Sequence, residues 1–355
     1  EGQVRAMQQA YQTSGWSPTD VDLIECHGAG TPVGDAIELT SLRRLWGEHD
    51  WAPGQCAIGS IKSMIGHLLT GAGAAGMIKT VLALKNKILP PSLNFSRPLG
   101  DSPLNGSPFR VQTEPEEWLP RSAASPLKAA VSAFGFGGIN AHLLFEAWSD
   151  GDAASQSSQT EIPAARSLVT VADQDSSPPA ESHPPAIAIV GMDSAFGKAD
   201  SLRKFREVVF NGRSLIKTRP SGRWEGADSW AERQMDTPID YGAFLEELSV
   251  FIGEFHIPPN EIPDILPQHL LMLKIAAGAM ADARLPHRED RPRMGTSIGM
   301  EYDYNANDFH LRWNISNDAR RWQEITEQVI TPDQHREWVR SLRNMVSPPL
   351  TSART

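Results

Sequence analysis

Two histidines on glycine-rich turns and one glycine loop are the places where this chain could do chemistry. His27 follows the apolar run Val21-Asp22-Leu23-Ile24-Glu25-Cys26 and opens the turn His27-Gly28-Ala29-Gly30-Thr31. A histidine at a strand end, followed by residues without bulk, leaves room for a substrate to approach the backbone; a turn-capping histidine is the plain alternative. His67 ends Lys62-Ser63-Met64-Ile65-Gly66-His67 and precedes Thr70-Gly71-Ala72-Gly73-Ala74-Ala75-Gly76, where small residues let a helix pack closely. Taken alone it reads rather as a satisfied core histidine. Lys62 lies near enough to orient His67 or shift its pKa, although an isolated lysine is ordinarily solvated. The loop Phe134-Gly135-Phe136-Gly137-Gly138-Ile139-Asn140 follows a strand but opens no helix with G-x-G-x-x-G spacing, so it is not a dinucleotide fingerprint.

These residues need a scaffold, and the pattern around them predicts one in which strands alternate with helices. A short helix is expected over 4–12, stopped near Gly15 and followed by the turn Ser17-Pro18. A strand over 21–26 runs into the His27 turn, and a helix from about Asp35 to Trp46 and a strand over 56–58 follow. Met77, Val81 and Leu84, with Ala and Gly between them, predict a tightly packed helix over 73–87, ended by Pro90-Pro91. Two buried strands, 127–134 and 141–146, flank the glycine loop. The alternation predicts an α/β layer fold.

The composition narrows the function classes. The 355 residues exceed a single typical domain, so two folded units or pieces of them are expected. A net charge of −10 argues against nucleic acid or an anionic membrane surface as the main partner. No apolar stretch reaches the roughly 20 residues of a membrane span, so a soluble, cytoplasmic protein is expected. Two cysteines, Cys26 and Cys56, without ligand spacing, support neither a disulfide framework nor a zinc site. Glu1 is not preceded by an initiator Met or a charged-then-apolar leader, so no targeting signal is expected and the chain reads as an excised piece of something longer.

Residues 149–185 are rich in Ser, Ala, Gln, Asp and Pro and carry Asp150, Asp152, Glu161, Asp173, Asp175 and Glu181 against Arg166 alone. Such a segment buries too little apolar area to offset its chain entropy and reads as a flexible linker. Beyond it the alternation returns more weakly: a strand over 186–190, a helix over 201–210 with Arg203, Lys204, Arg206 and Glu207 on its polar face, a helix over 267–282 and a buried strand over 294–300. From about Asp318 the chain is charged and helix-prone, with no recognisable chemistry.

Three segments carry a resemblance. Glu25-Cys26-His27-Gly28-Ala29-Gly30-Thr31, then Ile58-Gly59-Ser60-Ile61-Lys62-Ser63-Met64-Ile65-Gly66-His67, then Gly135-Phe136-Gly137-Gly138-Ile139-Asn140-Ala141-His142 resemble, in order and spacing, the signature segments of the C-terminal half of β-ketoacyl synthases of polyketide and fatty acid assembly lines. The resemblance covers residues 1–148. Residues 186–318 more loosely resemble the N-terminal half of a second ketosynthase through Ile187-Ala188-Ile189-Val190-Gly191-Met192, Asn211-Gly212-Arg213-Ser214, Gly222-Arg223-Trp224 and Tyr241-Gly242-Ala243-Phe244-Leu245. They depart from active synthases at Leu266-Pro267-Gln268-His269-Leu270, as a chain-length factor would, and with Asn307-Asp308-Phe309-His310-Leu311-Arg312-Trp313 they are most similar to polyunsaturated fatty acid synthases. Residues 319–355 stay unassigned.

The resemblance implies a thiolase-like fold, present as two partial units, and decarboxylative Claisen condensation of acyl and malonyl thioesters. His27 and His67 would hold the thioester carbonyl and Lys62 would support their network. Phe136 would be the gating aromatic, with its backbone N–H facing the thioester oxygen, and Thr31 would contact phosphopantetheine. The nucleophilic cysteine belongs upstream in the family. Cys26 and Cys56 read as structural, which leaves half of a condensing site and an isolated chain expected to be inactive. No metal, nucleotide or other bound cofactor is implied; the acyl groups would arrive on the phosphopantetheine of an acyl carrier protein. A homodimer, or a ketosynthase/chain-length-factor pair within one polypeptide, would complete the assembly. The alternative is a non-catalytic dimerisation or chain-length-factor module whose complementary halves associate in permuted order across a linker spanning on the order of 30 to 35 Å. A degradative thiolase is disfavoured, because neither cysteine is placed as its second, proton-shuttling thiol.

Overall fold

The computed structural model describes residues 1–48, 50–122, 125–148, 186–220, 241–245, 248–262, 265–286, 290–299, 315, 318–327, 329–346 and 351–354. The linker expectation for 149–185, the Gly222-Arg223-Trp224 segment and the 307–313 segment lie outside them. The chain divides into two compact units, Glu1–Ser60 with Gly76–Ala188, and Ile61–Ala75 with Ile189–Thr355. In chain order the elements up to residue 148 are α1 (Gly2–Ser14), β1 (Leu23–Glu25), α2 (Pro32–Trp46), β2 (Cys56–Gly59), α3 (Lys62–Ile65), α4 (Ala72–Asn86), β3 (Ile88–Leu89), β4 (Phe109–Val111), β5 (Glu116–Glu117), β6 (Lys128–Phe134) and β7 (Asn140–Glu146). From residue 186 onward follow α5 (Leu202–Phe210), β8 (Lys217–Thr218), β9 (Tyr241–Gly242), β10 (Leu248–Phe251), α6 (Pro267–Asp282), α7 (Pro332–Val346) and β11 (Thr351–Arg354).

The first unit is built on a five-stranded sheet of order β4-β2-β1-β6-β7, parallel except for the antiparallel β6–β7 pair. Successive side chains of a strand point to opposite faces, and the core obeys that parity. Ile24, Cys56, Ile58 and Ala130 pack with Val4, Met7, Tyr11, Leu42 and Trp46 of α1 and α2. Their neighbours Leu23, Ala57 and Ala129 pack on the other face with Ala83 and Leu84 of α4 and with Trp118. Helices on both faces explain why β1 and β2 are buried along their length without a regular apolar/polar alternation. The α/β expectation therefore holds.

Boundaries differ where caps decide them. Helix α2 begins three residues before the expected Asp35, because the Thr31 hydroxyl accepts the Gly34 N–H at 3.2 Å and Pro32 occupies the first turn. Gly15 closes α1 in the left-handed conformation at φ 70°. Strand β7 is not buried as expected: it is a sheet edge on which only His142 is buried.

In the second unit α6 keeps its expected bounds. Leu270 on α6 packs with Leu248, Val250 and Ile262. Asp193 lies against Gly278, where any Cβ would collide with its carboxylate, and Gly191 meets the Ala279 carbonyl in the same way. The Asp193 Oδ1 accepts the N–H groups of Ser194 and Leu202, at 2.8 and 3.0 Å, which ties this contact to the start of α5. Two expected strands are absent. Residues 186–190 and 294–299 form no ladder and are mostly exposed, with Ile187 94% and Met294 53% accessible. Helical backbone at 318–325 and α7 bears out the helix-prone reading of the tail, with Ile315, Ala319 and Val339 in a small core. Among the described residues no helix is long and apolar enough to cross a membrane, and no group of His, Cys, Asp or Glu is arranged to hold a metal.

Candidate active site

In the first unit β1 delivers His27 to its turn, and the turn is fixed from below by a residue that sequence reasoning missed. The Glu38 carboxylate, 3% exposed on α2, accepts the His27 N–H at 2.7 Å and the Gly28 N–H at 2.8 Å, one with each oxygen. Charge-assisted bonds of this kind are about twice as strong as neutral ones. Asp35 adds a third, from Gly30 N–H at 3.1 Å. The signal was an acid on the packed side of a helix beside Leu39 and Leu42, where a carboxylate is rarely buried without partners. Gly28 sits at φ +47° and a Cβ there would come within 2.8 Å of the Ser60 Cβ, so turn and strand end approach as closely as glycine permits.

The His27 ring is half-buried beside Phe134, with centroids 5.8 Å apart. Its Nδ1 accepts the Phe134 N–H at 3.3 Å. A nitrogen that accepts carries no proton, so the neutral ring holds its hydrogen on Nε2. The turn-capping alternative for His27 thus gives way to a histidine that joins the ends of β1 and β6.

His67 and Lys62 belong to the second unit, on and after the short helix α3. Gly66, at φ +78°, donates its N–H to the Lys62 carbonyl at 2.9 Å and turns the chain out of the helix. His67 is exposed, not a core histidine, and its Nδ1 accepts the Leu69 N–H at 3.0 Å. Each histidine therefore has the same tautomer imposed by a backbone amide. Partial desolvation and then the positive charge of Lys62 hold the His67 pKa below its ordinary value of 6.5. Both causes favour the neutral ring. We expect His67 in the full chain to titrate below 6.5 by NMR, and the Lys62→Met variant to move it upward only part of the way, since desolvation is the larger cause. An unchanged midpoint in Lys62→Met would disprove the electrostatic contact.

Thr31 is exposed and its hydroxyl oxygen caps α2, while Phe136 opens a single 3₁₀ turn, 136–138, after β6. Both are in the first unit with His27. The two thiols are unsuited to nucleophilic work. Cys26 is buried and Cys56 fully so; burial pushes both pKa values up, the carboxylates of Glu38 and Glu25 adding to the first and Asp22 to the second. A thiol must ionise to attack. The structural reading of both cysteines is supported.

Beneath the His27 turn lies a second buried group that the sequence did not disclose. Lys79 Nζ of α4 meets Glu25 Oε2 of β1 at 2.6 Å, with side chains 1% and 3% exposed. Gly76 gives the Glu25 side chain its space, for a Cβ there would stand 2.9 Å from Glu25 Cγ. Nearby, the Ser92 Oγ accepts the Ser60 N–H at 2.8 Å, closing the end of β2.

Residues 1–96 match the family described as "Beta-ketoacyl synthase, C-terminal domain". Residues 185–347 match "Beta-ketoacyl synthase, N-terminal domain". A polyunsaturated fatty acid synthase polypeptide of a Thraustochytrium species is 44% identical over 154 residues, covering 41% of this chain. A phenolphthiocerol/phthiocerol polyketide synthase polypeptide of Mycobacterium tuberculosis is 42% identical over 145 residues, again 41% of this chain. The matches span only 5% and 10% of those relatives' own lengths. The solved ketosynthase from module 1 of the bacillaene synthase of Bacillus amyloliquefaciens FZB42 is 38% identical, covering 42% of this chain and 26% of its own, at a TM-score of 0.39. Two segments of the chain, 1–96 and 185–347, thus match β-ketoacyl synthase family models, a C-terminal-domain segment ahead of an N-terminal-domain segment.

Proposed function

We propose that this chain supplies the two-histidine half of a decarboxylative Claisen condensing site within a larger polyketide or polyunsaturated fatty acid synthase. The observation that carries the reading is the shared tautomer. His27 and His67 each accept a backbone N–H at Nδ1, so each carries its hydrogen on Nε2. An Nε2 donor at a thioester oxygen stabilises the enolate that forms as a malonyl group loses carbon dioxide, charge that is absent from the ground state. The enolate carbon then attacks an acyl thioester held on a cysteine; the carbon–sulfur bond breaks and the thiolate leaves, giving a 3-ketoacyl thioester. Neither Cys26 nor Cys56 is that cysteine, so it comes from residues outside this chain. The depressed His67 pKa keeps the ring a neutral donor at pH 7. Lys62 is the positioning charge for His67.

Malonyl and acyl groups would arrive on the phosphopantetheine of an acyl carrier protein. The exposed Thr31 would meet that arm, and the Phe136 backbone N–H would face the thioester oxygen. No separate resident cofactor is needed for this chemistry. The Leu266 to Leu270 departure supports a chain-length-factor-like role for the second segment, in a pair within one polypeptide or a homodimer. The assay is carbon dioxide release from a malonyl thioester, followed by 3-ketoacyl product. A synthase polypeptide that contains this chain and the upstream cysteine performs both steps. The isolated 355 residues, lacking the acyl-accepting thiol, form no product; measurable carbon–carbon bond formation by them would overturn the half-site assignment.

A further inference from the structure

The His67 loop does not group with the residues on either side of it in the chain. Residues Ile61–Ala75 form one compact unit with Ile189–Thr355, whereas Ser60 and Gly76 belong to the other unit. One hydrogen bond within the second unit defines how. The Leu215 N–H donates to the Met64 carbonyl at 2.8 Å. Met64 is the penultimate residue of α3, and the last four carbonyls of a helix have no partner inside it. The Gly66 N–H takes the Lys62 carbonyl, and a residue from far along the chain takes that of Met64. This bond lies two residues before Gly66, whose left-handed backbone sends the chain to His67.

Leu215 is itself held on both sides. Helix α5 ends at Phe210 and the Arg213 N–H returns to the Val208 carbonyl at 3.1 Å. After Leu215 the Ile216 N–H bonds the Ser214 hydroxyl at 3.2 Å, and β8 pairs with β9 from Lys217. The donor is therefore presented by a turn anchored to a helix and to a strand pair, and the helix it caps carries Lys62 at its start. We infer that the turn between α5 and β8 is the seat of the His67 loop, so that the N-terminal-domain segment of this chain positions a functional histidine of the C-terminal-domain segment that precedes it. The two segments are then joined by function in reversed order, and the second is more than a downstream neighbour.

The seat deepens the proposed condensing role but can be tested without it. Leu215→Pro removes the N–H donor in the full chain. Hydrogen–deuterium exchange over residues 61–70 is expected to quicken at least about tenfold, while exchange over 23–34, around His27, stays as it was. Unchanged exchange over 61–70 in a folded Leu215→Pro protein overturns the inference. Should that variant not fold, the Met64→Cys/Leu215→Cys double variant decides. Seating predicts an intramolecular disulfide under mild oxidation, read as loss of two thiols at unchanged monomer mass, and its failure to form rejects the seat. Failure here leaves the chemistry of His67 standing, because carbon dioxide release tests that separately.

Discussion

His27→Ala and His67→Ala, each made in a synthase polypeptide that contains this chain, are expected to lower carbon–carbon bond formation by at least about 100-fold, the scale measured for loss of one oxyanion donor. The magnitude follows from the role. A donor that strengthens only as charge develops on the oxygen acts on the barrier, so its loss appears in kcat and leaves KM nearly unchanged. Gln at either position retains an N–H donor and should recover part of the activity that Ala loses. Carbon dioxide release and product yield are followed together, because a variant defective only in acyl transfer would still release carbon dioxide. Normal yield from either Ala variant would remove that histidine from the mechanism.

The tautomers on which this rests could not be read from the sequence. His27, Gly28 and Gly30 were legible as a turn with space above it, since glycine and alanine at a strand end have few other uses. That His27 Nδ1 would meet the Phe134 N–H, 107 positions away, depends on β6 lying beside β1, a pairing that local pattern does not encode. Glu38 was hidden for a similar reason. It sits within a helix whose periodicity was clear, but its value lies in two amides of a loop brought there by the sheet. The bounds of α6 were legible to the residue, because Pro at the first turn and sustained apolar spacing are local signals. The expected strands at 186–190 and 294–299 were misread for the converse reason: an apolar run becomes a strand only when a partner offers its ladder, and among the described residues these have none.

The buried ion pair yields the second large effect, on stability. Lys79→Met is expected to destabilise the first unit by about 3–5 kcal/mol, because it removes the ammonium that faces the Glu25 carboxylate in a site with 3% exposure. Glu25→Gln alone should cost less than Lys79→Met, since its neutral amide leaves the Lys79 ammonium partly solvated by the hydrogen bond it can still donate to the amide oxygen. The informative variant is the pair Glu25→Leu/Lys79→Met. If the ion pair is mainly a specificity device, two apolar side chains of similar volume restore most of the loss, because the desolvation of both charges is then avoided. Denaturant midpoints of the full chain, read at constant m-value, separate the outcomes. A Lys79→Met protein as stable as the parent would show that the pair contributes nothing. A double variant less stable than Lys79→Met would show instead that the charges hold β1 to α4 in a way apolar packing cannot, and that the end of β1 from which His27 departs is fixed by their attraction.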